Sequence, residues 1–239
     1  PTTAANAPAP WRLQRISSNA FNLSNADLAL RLAGTWQAGA GAWGLADIKG
    51  SIQRLNLAQL HQYLPKSLPP SLRERWRTTV LAGQLNNGQW AAQGDLSQWP
   101  SAQRSAQTAK FSVSASVQAA ELAFAPQWPA VKAVQGQLAL QGGQLSFNQA
   151  SGSLQGMALT VSQLKIDDLT APVLNLQGKV AGPVQAVLNL LANMNRSDPA
   201  LPTGLGLEQG SADGNASLEG RLRWVLGTQP ALTPTLQWA

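Results

Sequence analysis

The stretch from Val134 to Val180 limits what this chain can fold into. Apolar residues there occupy every second position: Leu138 and Leu140, Leu145 and Phe147, Leu159 and Val161, Leu164 and Ile166, Leu174 and Leu176. Strict alternation marks strands with one apolar and one polar face. Gly142–Gly143, Gly152, Gly156, Asp167–Asp168 and Pro172 read as turns between them. The result is a meander of short antiparallel strands. Its apolar face needs a cover, either a second layer or a ligand.

The same alternation extends in both directions. Trp11 to Ser17, Leu28 to Gly34 and Trp43 to Arg54 read as earlier strands, the last with a bulge or turn at Gly50. The period then changes. Asn56 suits an N-cap for a short helix over Leu57–Tyr63, and Pro69–Pro70 starts a second from Ser71 to about Val80. Asn86–Asn87–Gly88 predicts a hairpin between Leu81–Leu85 and Gln89–Leu96. Phe111–Ala115 and Ala120–Phe124 read as a further hairpin closed by Trp128–Pro129. After Gly182–Pro183, Val184, Val187, Leu188 and Leu191 follow helical spacing. Strands resume at Ala216–Leu226 and Leu232–Trp238. No helix between Phe111 and Val180 is long enough for a parallel crossover, so the sheet is expected to be antiparallel. Such a sheet curls on itself, packs as a sandwich core, or binds something long and apolar.

Composition narrows the chemistry. The chain has 239 residues, no cysteine and one histidine, His61. That removes disulfides and thiolate metal sites and argues against a His-based metal site or a Ser–His–Asp triad. No phosphate loop, GxSxG or HExxH pattern appears. Charged residues are only 12% of the chain, so its polarity comes from Gln, Asn, Ser and Thr, as in many exported β-rich bacterial proteins. The net charge of +6 is carried by residues 1–110, with a cluster at Lys66, Arg73, Arg75 and Arg77. A basic surface can meet phosphate head groups, and the plainer reading is a solvated helix face. Nucleic-acid binding would want basic residues interleaved with aromatics on one surface, and Arg75–Trp76–Arg77 alone is weak support for it. No run reaches the roughly 18 apolar residues of a membrane-spanning helix. The nine tryptophans are many; Trp36, Trp43, Trp90 and Trp128 read as near strand ends or turns, where an indole either rims a groove or simply packs. The chain opens at Pro1 without Met and ends inside an alternating strand, so it reads as a segment of a longer protein.

An ordered set of motifs adds a family. NADLALRLAGTW (Asn25–Trp36) is followed by LHQYLPKSLPPSLRERW (Leu60–Trp76), LAGQL (Leu81–Leu85) and GDL (Gly94–Leu96). Then come FSVSASVQAAELAFAPQWP (Phe111–Pro129), VQGQLAL (Val134–Leu140) and LNLQGKVAGPVQAVLNLLAN (Leu174–Asn193). In this order they resemble the YhdP branch of the AsmA-like proteins, over roughly Trp11 to Met194. One departure follows Asp95, where relatives usually carry a Phe-Pro-Phe-like step and this chain has Trp99–Pro100 and a Ser/Gln-rich loop.

The resemblance implies a mainly β fold, a long curled antiparallel sheet forming an open, taco-like groove with a few short helices. Composition and periodicity together with the resemblance divide the chain into a Pro/Ala-rich disordered lead-in (1–10), a groove segment (11–194) with helices near 56–80 and 183–193, a flexible Asp/Pro/Gly loop (195–213) and continuing strands (214–239). The resemblance also implies a non-enzymatic bridge-like lipid-transfer protein of a Gram-negative envelope. Such a protein is anchored in the inner membrane and crosses the periplasm, moving phospholipids to the outer membrane with no cofactor. Its partners would be phospholipids, the two membranes and other envelope proteins, not nucleic acid. The groove residues would be Val113, Leu122, Phe124, Leu138, Leu140, Leu145, Phe147, Leu159, Val161, Leu164, Ile166, Leu174 and Leu176, with Arg73, Arg75 and Arg77 as head-group contacts. The alternative is a structural or assembly module of the envelope whose apolar faces pack protein against protein.

Overall fold

In the computed structural model the described residues are 13–39, 44–63, 70–95, 109–124, 128–197, 213–225 and 231–237. Eleven strands form one antiparallel sheet in strict chain order. They are β1 Arg15–Ser24, β2 Leu28–Gln37, β3 Leu45–Asn56, β4 Val80–Asp95, β5 Ala109–Leu122 and β6 Val131–Gln141, then β7 Gln144–Leu154, β8 Met157–Ile166, β9 Val173–Pro183, β10 Asn215–Val225 and β11 Ala231–Gln237. β1 and β11 are the free edges, so the sheet is not closed into a barrel. All the described strands belong to this sheet, so among the described residues no second sheet covers its apolar face.

The helices interrupt the meander where the period changes. A 3-10 turn, Leu57–Gln59, runs into α1, Leu60–Tyr63, and α2 covers Pro70–Thr79. Asn56 caps the first turn, its Oδ1 accepting from the amide of Ala58 at 3.2 Å. Trp76 ties α2 to that turn, its Nε1–H donating to the Leu57 carbonyl at 3.0 Å. The third helix, α3, is Val184–Ser197. Val184, Val187, Leu188 and Leu190 bury themselves against Met157, Val180, Ala216 and Leu218. The side chain of Leu191 lies outside the described residues, as do positions 1–10, nearly all of the predicted loop and Trp43. Both helical insertions leave the sheet at the same end, after β3 and after β9. There Leu57, Leu60, Tyr63 and Trp76 pack onto the apolar face.

Several local expectations are corrected. Asn86–Asn87–Gly88 is not a hairpin: β4 runs unbroken through it and pairs with β3 on one side and β5 on the other. Asn87, at φ 52°, is instead an extra residue in the ladder. Phe111–Leu122 is one strand rather than two, Gly152 lies inside β7, and β2 continues through Gly34 to Gln37. Gly50 is in register with Leu32 and Trp90; the extra residue of β3 is Gln53. In each case a strand as long as its neighbours keeps more ladder hydrogen bonds than two short ones.

The extra residues explain the curvature. Asn87 in β4, Ala119 in β5, Ala133 in β6 and Gln149 in β7 each have positive φ and sit where the register shifts by one. Gln53 in β3 and Ser162 in β8 add two further shifts. A bulge bends its strand and increases its twist. Bulges in six successive strands form a crease that runs across the sheet.

One contact measures how far the sheet rolls. Phe124, just past β5, meets Trp224 of β10 edge to face, with ring centroids 6.4 Å apart. The two strands are five steps apart, and the residues sit at opposite ends of them. On a flat sheet, spacings of roughly 4.8 Å across and 3.3 Å along the strand would separate them by roughly 40 Å. Trp224 lies on the apolar side, so the sheet rolls toward that side and makes it concave.

Candidate functional site: an apolar trough

The register aligns apolar residues into rows that cross the strands. The longest described row is Phe21, Leu32, Gly50, Trp90, Val113, Leu140, Leu145, Ile166, Leu174 and Trp224, one residue from each of β1 to β10. Nine inter-strand steps carry it over roughly 43 Å of arc. Parallel rows flank it, among them Leu164, Leu176 and Leu222. No Asp, Glu, Lys or Arg of a described strand shares this face; Arg31, Lys49, Lys110, Lys165, Lys179 and Arg223 all fall on the other. The sheet therefore keeps charged side chains off this face across its described width.

All but one of the sequence-predicted trough residues share this face. Phe147, Val161, Ile166 and Leu174 are buried, while Val113, Leu122, Leu138, Leu140, Leu145, Leu159, Leu164 and Leu176 are half-buried. Phe124 lies beyond its strand and reaches the row through Trp224. Burial is graded. At the helical end, Leu28, Leu55, Leu57, Val80, Leu85 and Val117 close into a packed core that also holds Phe147 and Val161, and Leu122, Leu138, Leu159, Leu164 and Leu176 pack against it. Toward the opposite strand ends, Leu32, Trp90, Val113 and Leu140 stay half-exposed, whereas Ala46, Ala92, Ile166 and Leu174 are buried. One wall of the trough is thus sealed by helices, and the other is partly accessible at β2 and β4–β6.

The predicted trough stopped short of its real extent. Leu30, Leu32, Ile48, Ile52 and Trp90 extend it through β2–β4, and Leu222 and Trp224 extend it into β10. The alternation at Leu28–Leu32 was the available signal. Trp90 is in mid-strand rather than at a turn, and its indole lies across Gly50. A Cβ on Gly50 would sit 2.6 Å from Trp90 Nε1 and 2.5 Å from the Arg31 carbonyl oxygen, so only glycine leaves room there. Trp36 is on the same face at the end of β2, opposite Ala46.

The polar groups singled out in the sequence do structural work in this fold. On α2, Arg77 grips Glu74, Nε donating to Oε2 at 2.9 Å. That bond holds the Glu74 carboxyl below its ordinary range and pushes the Arg77 guanidinium up. Arg73 is half-buried and Arg75 exposed. His61 Nδ1 lies 2.9 Å from the Ala58 carbonyl oxygen, within its own short helix. No cluster of three or more His, Cys, Asp or Glu suited to a metal occurs among the described residues. A depression of about 660 Å³ crosses β2–β6; its lining takes in Arg31, Lys49, Gln89 and Gln141 of the polar face together with Leu32, Gly50, Trp90, Val113 and Leu140 of the row.

Asp168 makes the turn between β8 and β9. Its Oδ1 accepts from the Thr170 amide at 2.8 Å and from the Thr170 hydroxyl at 2.6 Å. These bonds favour the charged form and lower its pKa, the hydroxyl bond most. The turn is therefore fully supported above the ordinary value of 3.8 and loses that support as pH falls through the lower folded value. Carboxyl NMR titration should place Asp168 below 3.8. Thr170→Ala should move it back up; an unchanged titration would refute the assignment.

Comparison with known proteins is consistent with this geometry. No curated protein and no solved structure matches the chain. The family model of the YhdP protein matches residues 1–218, nearly the whole length. With its open, rolled antiparallel sheet and a continuous uncharged trough, the chain belongs to the YhdP protein family.

Proposed function

We propose that this chain is part of a periplasmic conduit that shields phospholipid acyl chains in the trough and carries them between the inner and outer membranes. Family membership supports the coarser statement, a lipid-transport-related envelope protein. The family is not a known enzyme family. None of the described helices is long and apolar enough to cross a membrane.

The observation that carries the reading is the uncharged row crossing ten strands. An acyl chain in water gains about 0.8 kcal/mol per methylene removed from it. A trough as apolar as a bilayer interior takes the chain from a membrane at little net cost. Because the row offers a similar surface at each strand, no step along it is a deep trap, and a lipid can slide. The half-exposed wall leaves the head group in water. Arg73 and Arg75 on α2 are proposed head-group contacts, whereas Arg77 is held by Glu74.

The test is photo-crosslinking in cells combined with native mass spectrometry and lipid extraction. Crosslinkers at Leu140 and Leu176 should capture phospholipid, and crosslinkers at Lys49 and Gln177, on the other face, should not. Capture from neither face, with no lipid in the purified protein, would sink the proposal.

One observation favours the structural-module reading. Ile16, Phe21 and Leu23 of edge strand β1 share the apolar face and are 50%, 48% and 40% exposed. A stoichiometric protein partner seated there on a lipid-free protein would favour that alternative.

A further inference from the structure

We propose that Phe124 and Trp224 form an openable clasp across the trough, gating the movement of acyl chains past it. The idea rests on the lipid reading above and adds to it a point of control. The rings belong to strands five steps apart, yet they touch edge to face. Trp224 stands in the apolar row opposite Leu174, so the contact forms on the concave side, where cargo would lie.

Both backbones are anchored. The amide of Ala123, next to Phe124, donates to the Thr79 carbonyl at 2.8 Å. Trp224 is paired in the ladder with Leu174 of β9. Opening therefore needs side-chain rotation rather than strand separation. Both rings are half-buried, so an acyl chain can reach and displace them. The displaced rings would then contact the acyl chain, exchanging one apolar contact for another. A T-shaped pair between anchored strands can open and reclose; a fully packed core pair such as Met157 with α3 cannot.

The chain contains no cysteine, so Phe124→Cys with Trp224→Cys places the only two thiols in the protein. The probe is phosphatidylethanolamine carrying a fluorescent acyl chain, loaded onto the purified chain and chased into empty phosphatidylcholine vesicles. Joining the two thiols with a short bifunctional maleimide should slow release at least tenfold relative to the same variant before joining. Phe124→Ala should speed release severalfold, and Phe124→Leu should lie between it and the unaltered protein.

Release rates that do not change, with normal loading, would overturn the clasp and leave the lipid reading intact. A lower melting temperature for Phe124→Ala with unchanged release would make the pair a structural pin and also overturn it. Failure of the unaltered protein to load the probe at all would overturn the lipid reading, and the clasp with it.

Discussion

Leu140→Asp is expected to cut co-purifying phospholipid at least about tenfold while leaving the protein folded. Leu140 lies in the middle of the longest row, between Val113 of β5 and Leu145 of β7. It is half-buried, so an aspartate there keeps water in the empty protein and folding tolerates it. An acyl chain crossing that strand would cover the carboxylate. Burying an unpaired charge costs several kcal/mol, and about 1.4 kcal/mol already amounts to tenfold in binding. Val161→Asp would be a poorer test because Val161 is buried and the fold itself would suffer. Leu140→Met keeps the apolar surface and should bind as the unaltered chain does. Quantified lipid extraction alongside thermal unfolding decides the matter. Equal lipid on the Asp variant, with an unchanged melting curve, would mean that the trough does not carry the cargo.

Gly34→Ala should destabilise the sheet by about 3 kcal/mol or more, a cost reached only by changes with a specific steric cause. Gly34 has φ of +142°. A Cβ there would lie 2.1 Å from the Asp47 carbonyl oxygen and 2.7 Å from the Ile48 Cα. Both are backbone atoms of the partner strand, so no rotamer change relieves the overlap, and β2 would have to part from β3. Gly220 in β10 is the control. Nothing lies within 4 Å of its Cβ position. Gly220→Ala should therefore stay within about 0.5 kcal/mol of the unaltered protein. Urea midpoints of the two variants give the comparison. A Gly34→Ala midpoint equal to that of Gly220→Ala would show that the close approach of β2 to β3 yields easily.

The two substitutions also show which features were legible in the sequence. Leu140 could be placed on the apolar face from alternation alone, because side-chain direction in a strand has a period of two wherever the strand lies. The short helix after Asn56 was legible through its cap, and α3 through Val184, Val187 and Leu188. The need for glycine at position 34 was not legible, because it depends on which backbone atoms of β3 lie opposite. The same holds for Gly50 beneath Trp90. At Asn87 the residue type correctly signalled positive φ, but positive φ serves a hairpin turn and a bulge equally well. The long partners β3 and β5 on either side decided for the bulge. Ala119, Ala133 and Gln149 adopt positive φ with no compositional sign at all.

Sequence by itself determined that the chain would be an antiparallel meander with one apolar and one polar face. Both properties follow from local periodicity and short connections. Tertiary structure decided that the apolar face is concave, that it runs unbroken from β1 to β10, and that Phe124 meets Trp224 across it. Curvature arises from bulges, and a bulge exists only in relation to the strand it is paired with. No single strand's sequence contains it; the crease appears when six successive strands settle their registers together.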